Sequence, residues 1–464
     1  MIESLYAAYI YTEPTGGKRM ASRRLTKRSF IIIGITVFLI GGLYAAYKLS
    51  FDPYRGTIIA AAASQDLSAT LAKEEASADL AYLVDKLEKR HPACIAGLPD
   101  EVQAQYEKEL NALTEDVTVL ELWQAGARVL AKMKDAHTAI WYPSSDYQRM
   151  PIKLEMLDGR LFCISEGYDN VEATRINGIP VDELYRRFLT QFSYELESYA
   201  SYCFSNYIRD PKYLEFVGVD TASGITVTFS NEKGEWEESM AFESPVEHAA
   251  IAEPPFVSYQ IDEENSLGIL TLRSCQIDDF YRETLKSFFT EVKEHSISYV
   301  AVDLRNNGGG NSQVINEFLR YVDVNTYSVV GGMDVRYGPV LWHFKARANK
   351  NRCFEDLVFT GKLFALTSKK TFSSAAMFAV TLLDNNLAEI IGEIPGNMPA
   401  SYGDILAFQT PNAKLLFTIS FKYFGRIDGT KAELPLIPHY EVRAEDSVGK
   451  LYEIIEADQG LPRE

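Results

Sequence analysis

A mixed α/β chain with crossover connections is the fold class this sequence predicts, and three observations predict it. From residue 267 onward, short β-branched or apolar runs alternate with amphipathic stretches of helical length. Two small-residue turns, Asp303-Leu-Arg-Asn-Asn-Gly-Gly-Gly-Asn311 and Thr371-Phe-Ser-Ser-Ala-Ala-Met-Phe378, each follow such a run and open a helix-like segment. The 464 residues are 47% hydrophobic and 24% charged, a globular composition with enough chain for more than one core.

The elements follow in order. Residues 1–28 carry the one dense basic cluster, Lys18, Arg19, Arg23, Arg24, Lys27 and Arg28, with Met20 as an alternative start. Residues 29–47 hold no formal charge; as a helix they would span roughly 28 Å, close to the hydrocarbon thickness of a bilayer. The reading is a single-pass anchor with the basic side in the cytoplasm and the bulk of the chain outside. A cleaved signal peptide is the rival, although its apolar core usually runs only about 7–15 residues. Residues 48–75 read as a spacer. Leu80, Leu83, Val84 and Leu87, then Val119, Leu122, Ala125 and Val129, recur at helical spacing and predict a helical domain over 76–138. Strand-like pieces predict a β-rich intermediate domain over 139–262, in which Asn177-Gly178 reads as a hairpin turn. The α/β domain covers 263–445, with strands at 267–272, 299–304, 363–367, 388–392 and 414–420 and helices at 279–295, 311–321 and 373–383. Residues 446–464 form a tail.

Charge and cysteine usage exclude several functions. A net charge of −18 argues against nucleic acid as a partner, since phosphate contacts need basic clusters. The five cysteines, Cys94, Cys163, Cys203, Cys275 and Cys353, are scattered without C-x-x-C spacing and suggest neither a disulfide framework nor a zinc site. No metal-ligand motif and no cofactor signature is present: counting from Gly308, the sixth position is Gln313, so the dinucleotide fingerprint fails.

The two turns carry the chemistry. Glycines leave backbone N–H groups bare to a ligand, and a serine at a helix start lies where orphan N–H groups and the helix dipole favour a developing anion. A hydroxyl beside preorganised donors is what acyl transfer requires. Either turn alone also reads as structure, a tight strand-to-helix connection or a helix cap; the capping-box partner is missing, because Ala376 and Met377 stand where it would be.

In this order the motifs resemble the carboxyl-terminal processing (tail-specific) serine peptidases and their relative, the core of the tricorn protease. The resemblance runs from about residue 266 to 442, more weakly back to 76, and implies a crossover α/β catalytic core of that type. Phe378, Asp384 and Gly392-Glu393 match the family's F, D and G-E, which puts Ser373 at the nucleophile. Gly308 or Gly309, with Ser374, would then form the oxyanion hole in the Gly308–Gly310 loop. The run from Val171 to Val181 is similar to the Ile-Asn-Gly strand and turn that this family shares with PDZ modules. Two departures stand out: Ala376 replaces an acid found in many relatives, and Met398, 25 positions after Ser373, stands where tail-specific members place a lysine base. Lys369, Lys370 and Lys422 are substitutes only if they reach the cleft. The tricorn-like branch uses a histidine, and Asp135-Ala-His-Thr138 resembles its D-x-H-T turn, which makes His137 the candidate general base. A histidine base would give activity rising through about pH 6–7. For the orienting acid, Glu433, Asp428 and Asp404 are the candidates, and the resemblance favours Glu433. The expected function is a membrane-anchored serine peptidase acting on peptide or protein substrates; the alternative is a catalytically inactive member that binds peptides or small apolar ligands.

Overall fold

The computed structural model describes residues 27–143, 147–244 and 254–460. Lys18, Arg19, Met20, Arg23 and Arg24 of the basic segment lie outside the described residues. The chain divides into two compact units, one ending at Phe51 and the other beginning at Asp52.

The described part of the first unit is the helix Lys27–Ser50. Within it, Ile31–Ser50 has a mean hydropathy of 1.8 over its apolar window, none of it buried, so by length and composition it suffices to cross a membrane. A signal sequence near an amino terminus meets the same criteria.

The second unit is built around a six-stranded sheet in the order Val257–Asp262, Leu267–Leu272, Tyr299–Asp303, Lys362–Thr367, Glu389–Gly392 and Tyr440–Glu441. Only the first pair is antiparallel; the other four pairings are parallel. Side-chain alternation decides what covers each face. Leu270, Leu272, Val300, Val302, Leu363 and Ala365 face a core with the helices Asp279–Glu294, Gln313–Leu319 and Ser374–Asp384. Leu267, Ile269, Ala301, Phe364 and Leu366 face the carboxyl-terminal helix Ser447–Gln459 through Leu451 and Ile455. Phe288, Phe289, Phe318 and Phe378 are fully buried on the first face, and each such side chain contributes about 2 kcal/mol by leaving water. Mixed α/β layering with parallel crossovers is thus the observed class.

A second sheet runs Val340–Lys345, Gly332–Tyr337, Leu416–Gly425 and Ser401–Gln409, with Ala139–Trp141 pairing the start of the Leu416–Gly425 strand. A third, antiparallel throughout, holds Leu154–Leu157, Arg160–Cys163, Val171–Ile176, Ile225–Asn231 and Gly234–Met240. Asn177 (φ 46°) and Gly178 (φ 76°) form its left-handed two-residue turn. This stretch also contains the helices Val181–Gln191, Glu197–Tyr207 and Pro211–Phe216, which strand-like patterning did not mark. Upstream, the helices are Lys73–Arg90, Asp100–Ala112 and Val119–Ala131. The buried Asp79 of the first accepts the N–H groups of Asn412 and Ala413, at 2.9 and 2.7 Å, tying it to the turn before the Leu416–Gly425 strand. The spacer is pinned too: Ile58 N–H donates to the Ala407 carbonyl, and Gln409 brackets Ala62 with two side-chain hydrogen bonds.

Candidate active site

The glycine loop leaves the carboxyl end of the Tyr299–Asp303 strand and the serine turn leaves that of its neighbour Lys362–Thr367, where a parallel sheet opens its crevice. The first turn is braced from within. Arg305 clamps Asp303 through Nε (2.9 Å) and a second guanidinium nitrogen (2.7 Å), and donates to the Ala444 carbonyl. Asn307, fully buried, donates to the Leu272 carbonyl and accepts the Gly309 N–H at 2.8 Å. Its own carbonyl accepts Phe372 N–H, which joins the two turns. A Cβ on Gly309 would sit 2.7 Å from Ser373 Cβ and 2.9 Å from the Phe372 carbonyl, so glycine is what allows the contact.

Ser373 precedes the helix Ser374–Asp384 with φ 55° and ψ −126°, a backbone conformation that L side chains rarely adopt. Its hydroxyl does not cap the helix. Its N–H is held at 2.6 Å by Asn397 Oδ1, and Asn397 in turn donates to the Met398 carbonyl and Ser401. Ser374, by contrast, donates its hydroxyl to the Gly310 carbonyl at 2.7 Å. Ser374 is the first residue of the helix, where a backbone N–H has no partner within the helix itself.

A cleft of about 580 Å³ opens over this turn, lined among others by His137, Gly310, Ser373, Ser374, Met398 and Lys422. Of the site residues expected from sequence, Ser373, Ser374 and His137 are therefore brought to one cavity. Gly309 sits beneath it with its N–H engaged by Asn307, and Gly308 is exposed. Glu433 is exposed, does not line the cleft, and makes itself felt at Tyr423. Asp428 pairs with Lys431 and Thr430, and Asp404 pairs with Lys422 on the cleft wall. Met398 lines the cleft at the position of the family's lysine, and Lys369 pairs with Glu393 at 3.5 Å.

His137 rests its ring on Phe372, centroids 4.6 Å apart, and lines the cleft without a direct hydrogen bond to Ser373; neither ring nitrogen has a hydrogen-bond partner among the described residues. Two carboxylates that sequence reasoning passed over stand beside it. Asp135, wholly buried, accepts the His137 N–H at 2.9 Å, and its Oδ1 lies 3.7 Å from His137 Nδ1. Burial works against its charge, but hydrogen bonds and charge from His137 and His91 outweigh it and hold the carboxyl well below the usual range. Glu195 follows the helix Val181–Gln191; its Oε2 accepts Met398 N–H at 2.7 Å while its Oε1 is sealed and unpartnered. Burial first, then the Asp135 charge, pushes this carboxyl up to about 8. Asp135, His137 and Glu195 present atoms within 4.8 Å of one another, a spacing open to a cation, but both Asp135 oxygens already serve protein donors. The signal for Asp135 was its place two residues before His137; for Glu195 no local signal exists.

The family-matching residues downstream are scaffold. Phe378 is buried against Phe318, Asp384 forms a bidentate pair with Arg426, and Gly392 (φ 125°) would place a Cβ 2.1 Å from the Thr367 carbonyl.

Fold and site together define an α/β crossover domain with a serine turn at the sheet's crevice. Residues 267–433 match the model of Peptidase family S41. Among solved structures, mature CPAF is similar at 13% identity, covering 83% of this chain and 96% of that one with a TM-score of 0.60. CPAF complexed with lactacystin is similar at 13% identity, 83% and 98% coverage and a TM-score of 0.59. The photosystem II D1 C-terminal processing protease matches at 10% identity, 83% and 98% coverage and a TM-score of 0.47. At these identities the likeness to CPAF is one of fold. A search of curated proteins by sequence gives no match.

Proposed function

We propose that this chain is a serine peptidase, held at a membrane by Ile31–Ser50 with its second unit outside the cytoplasm, that cleaves extended peptides through an acyl-enzyme at Ser373. The observation that carries the reading is the left-handed backbone of Ser373 (φ 55°), which lifts an uncapped hydroxyl into the cleft that His137 lines. His137 takes the hydroxyl proton as Ser373 Oγ adds to the scissile carbonyl, then delivers it to the departing amine. The oxyanion is received by the Ser374 N–H with N–H groups of the Gly308–Gly310 loop; Gly309 contributes by close packing, since its own N–H is occupied. Each such donor is worth about 3 kcal/mol in the transition state. Water then releases the acyl group by the reverse proton path. Asp135 rather than the exposed Glu433 is the carboxylate within reach of the imidazole. Met333, Met377 and Phe424 on the cleft wall suit an apolar substrate side chain.

A fluorophosphonate probe on the full chain tests this. It should label the wild type, Ser374→Ala and Lys422→Ala, and fail to label Ser373→Ala and His137→Ala at unchanged circular dichroism. Labelling of Ser373→Ala at the wild-type level would overturn the nucleophile; normal labelling of His137→Ala with a dead Lys422→Ala would overturn the base.

A further inference from the structure

The D-A-H-T turn is held on one side by the neighbouring strand Leu416–Gly425. Thr418 donates its hydroxyl to the His137 carbonyl at 2.7 Å, and Thr138 Oγ1 accepts Ser420 N–H at 3.0 Å. What fixes the turn from the other side is a second histidine, 44 positions before Asp135 in the chain. His91 is fully buried at the end of the helix Lys73–Arg90. Its Nδ1 accepts the Ala93 N–H at 3.2 Å, which leaves the proton of the neutral ring on Nε2. Nε2 lies 3.2 Å from Asp135 Oδ2, and Thr138 Oγ1 donates to the same oxygen at 2.6 Å. The other oxygen, Oδ1, is left for His137: it accepts the backbone N–H of that residue at 2.9 Å and lies 3.7 Å from the ring Nδ1. The His91 ring packs on Tyr402 of the cleft wall, centroids 4.4 Å apart, and its carbonyl accepts from Arg336 at 3.5 Å.

We propose that His91 is a positioning residue for the reaction: through Asp135 it sets the aim of His137, so that an amino-terminal helix governs the base of a nucleophile carried by the α/β sheet. The proposal rests on the reading of His137 as base. Its logic is that of an imidazole ordered through a fixed carboxylate. Asp135 has two oxygens and three hydrogen-bond donors, with His137 Nδ1 a further 3.7 Å contact; removing the Nε2–H leaves Oδ2 held by Thr138 Oγ1 alone, and the carboxylate is then freer to tilt away from the imidazole. The groups facing His137 are Asp135 and Glu195, with the Asp404–Lys422 pair across the cleft and Glu433 beyond Tyr423.

The substitution His91→Gln keeps a distal N–H donor, whereas His91→Leu removes it. On the full chain, His91→Leu should lower kcat by about tenfold or more with KM little changed, and His91→Gln should recover most of that loss. Asp135→Asn removes the negative charge beside the imidazole, so the acid limb of the kcat/KM profile should move to lower pH by about one unit. A slowly exchanging imidazole N–H resonance in the wild-type spectrum should vanish in His91→Leu and shift in Asp135→Asn, independently of turnover. Equal kcat for His91→Leu and wild type, or equal kcat loss in His91→Gln and His91→Leu, would overturn the proposal. If His91→Leu does not fold, an unmoved acid limb in Asp135→Asn does so. Failure of the base reading is separate: it shows as probe labelling of His137→Ala.

Discussion

At the scale of residues, the site depends on a few polar groups whose partners are spoken for. Ser374 donates its hydroxyl to the Gly310 carbonyl and Gly309 its N–H to Asn307, while Ser373 lines the cleft with a hydroxyl that does not cap the helix. His137, with neither ring nitrogen hydrogen-bonded, and Glu195, with one sealed oxygen unpartnered, are exceptions. The Glu195 carboxyl, pushed up to about 8 by burial and by Asp135, sits above its ordinary value of 4.5. The folded state therefore favours the neutral form. The stability this group contributes is complete below about pH 4.5 and is lost as pH rises through 8. Glu195→Gln cannot ionise and keeps an acceptor for Met398 N–H. Thermal melts should show it little changed at pH 5 and more stable than wild type at pH 8.5, by on the order of 2 kcal/mol. A constant difference across that range would contradict the assignment.

At the scale of elements, the helix that begins at Ser374 is secured at both ends. Its start is stapled to the glycine loop by Ser374, and its last residue, Asp384, grips the buried Arg426 through two 3.0 Å hydrogen bonds. Arg426 also donates to the Lys431 and Leu434 carbonyls, which fixes the loop carrying Glu433. Asp384→Ala would leave a buried guanidinium with only carbonyl partners, at a cost of about 3 kcal/mol. Urea denaturation should show the midpoint lowered with its slope unchanged. The loss should exceed that for Asp428→Ala, whose carboxylate is paired at the surface.

At the scale of the whole molecule, everything that forms the cleft lies in the unit beginning at Asp52, and the apolar helix lies in the other. A chain starting at residue 52 should be soluble without detergent, melt within a few degrees of the full chain, and be labelled by the probe equally well. The full chain should fractionate with membranes, and protease added to intact cells should remove the second unit. Recovery of the full chain in the cytosol would refute the anchor.

The sequence by itself determined the crossover sheet and both turns, because these are written in local patterns: short continuous apolar runs alternating with helical stretches, glycines where backbone must approach backbone, and small residues around Ser373. It also marked His137 through its D-x-H-T neighbours. It did not show what those neighbours do. Asp135 reaches His91 across 44 positions, Glu195 reaches Met398 across 203, and Asp384 reaches Arg426 across 42. Pairings of that kind have no period and no spacing rule, since the partner is chosen by burial: a charge carried into a core must find whatever group the packing brings beside it. For the same reason Glu433, plausible by its position in the chain, stands at the surface, while the carboxylate nearest the imidazole comes from its own turn. Only the tertiary structure decided that, because the distance between side chains is set by how the sheets and helices pack.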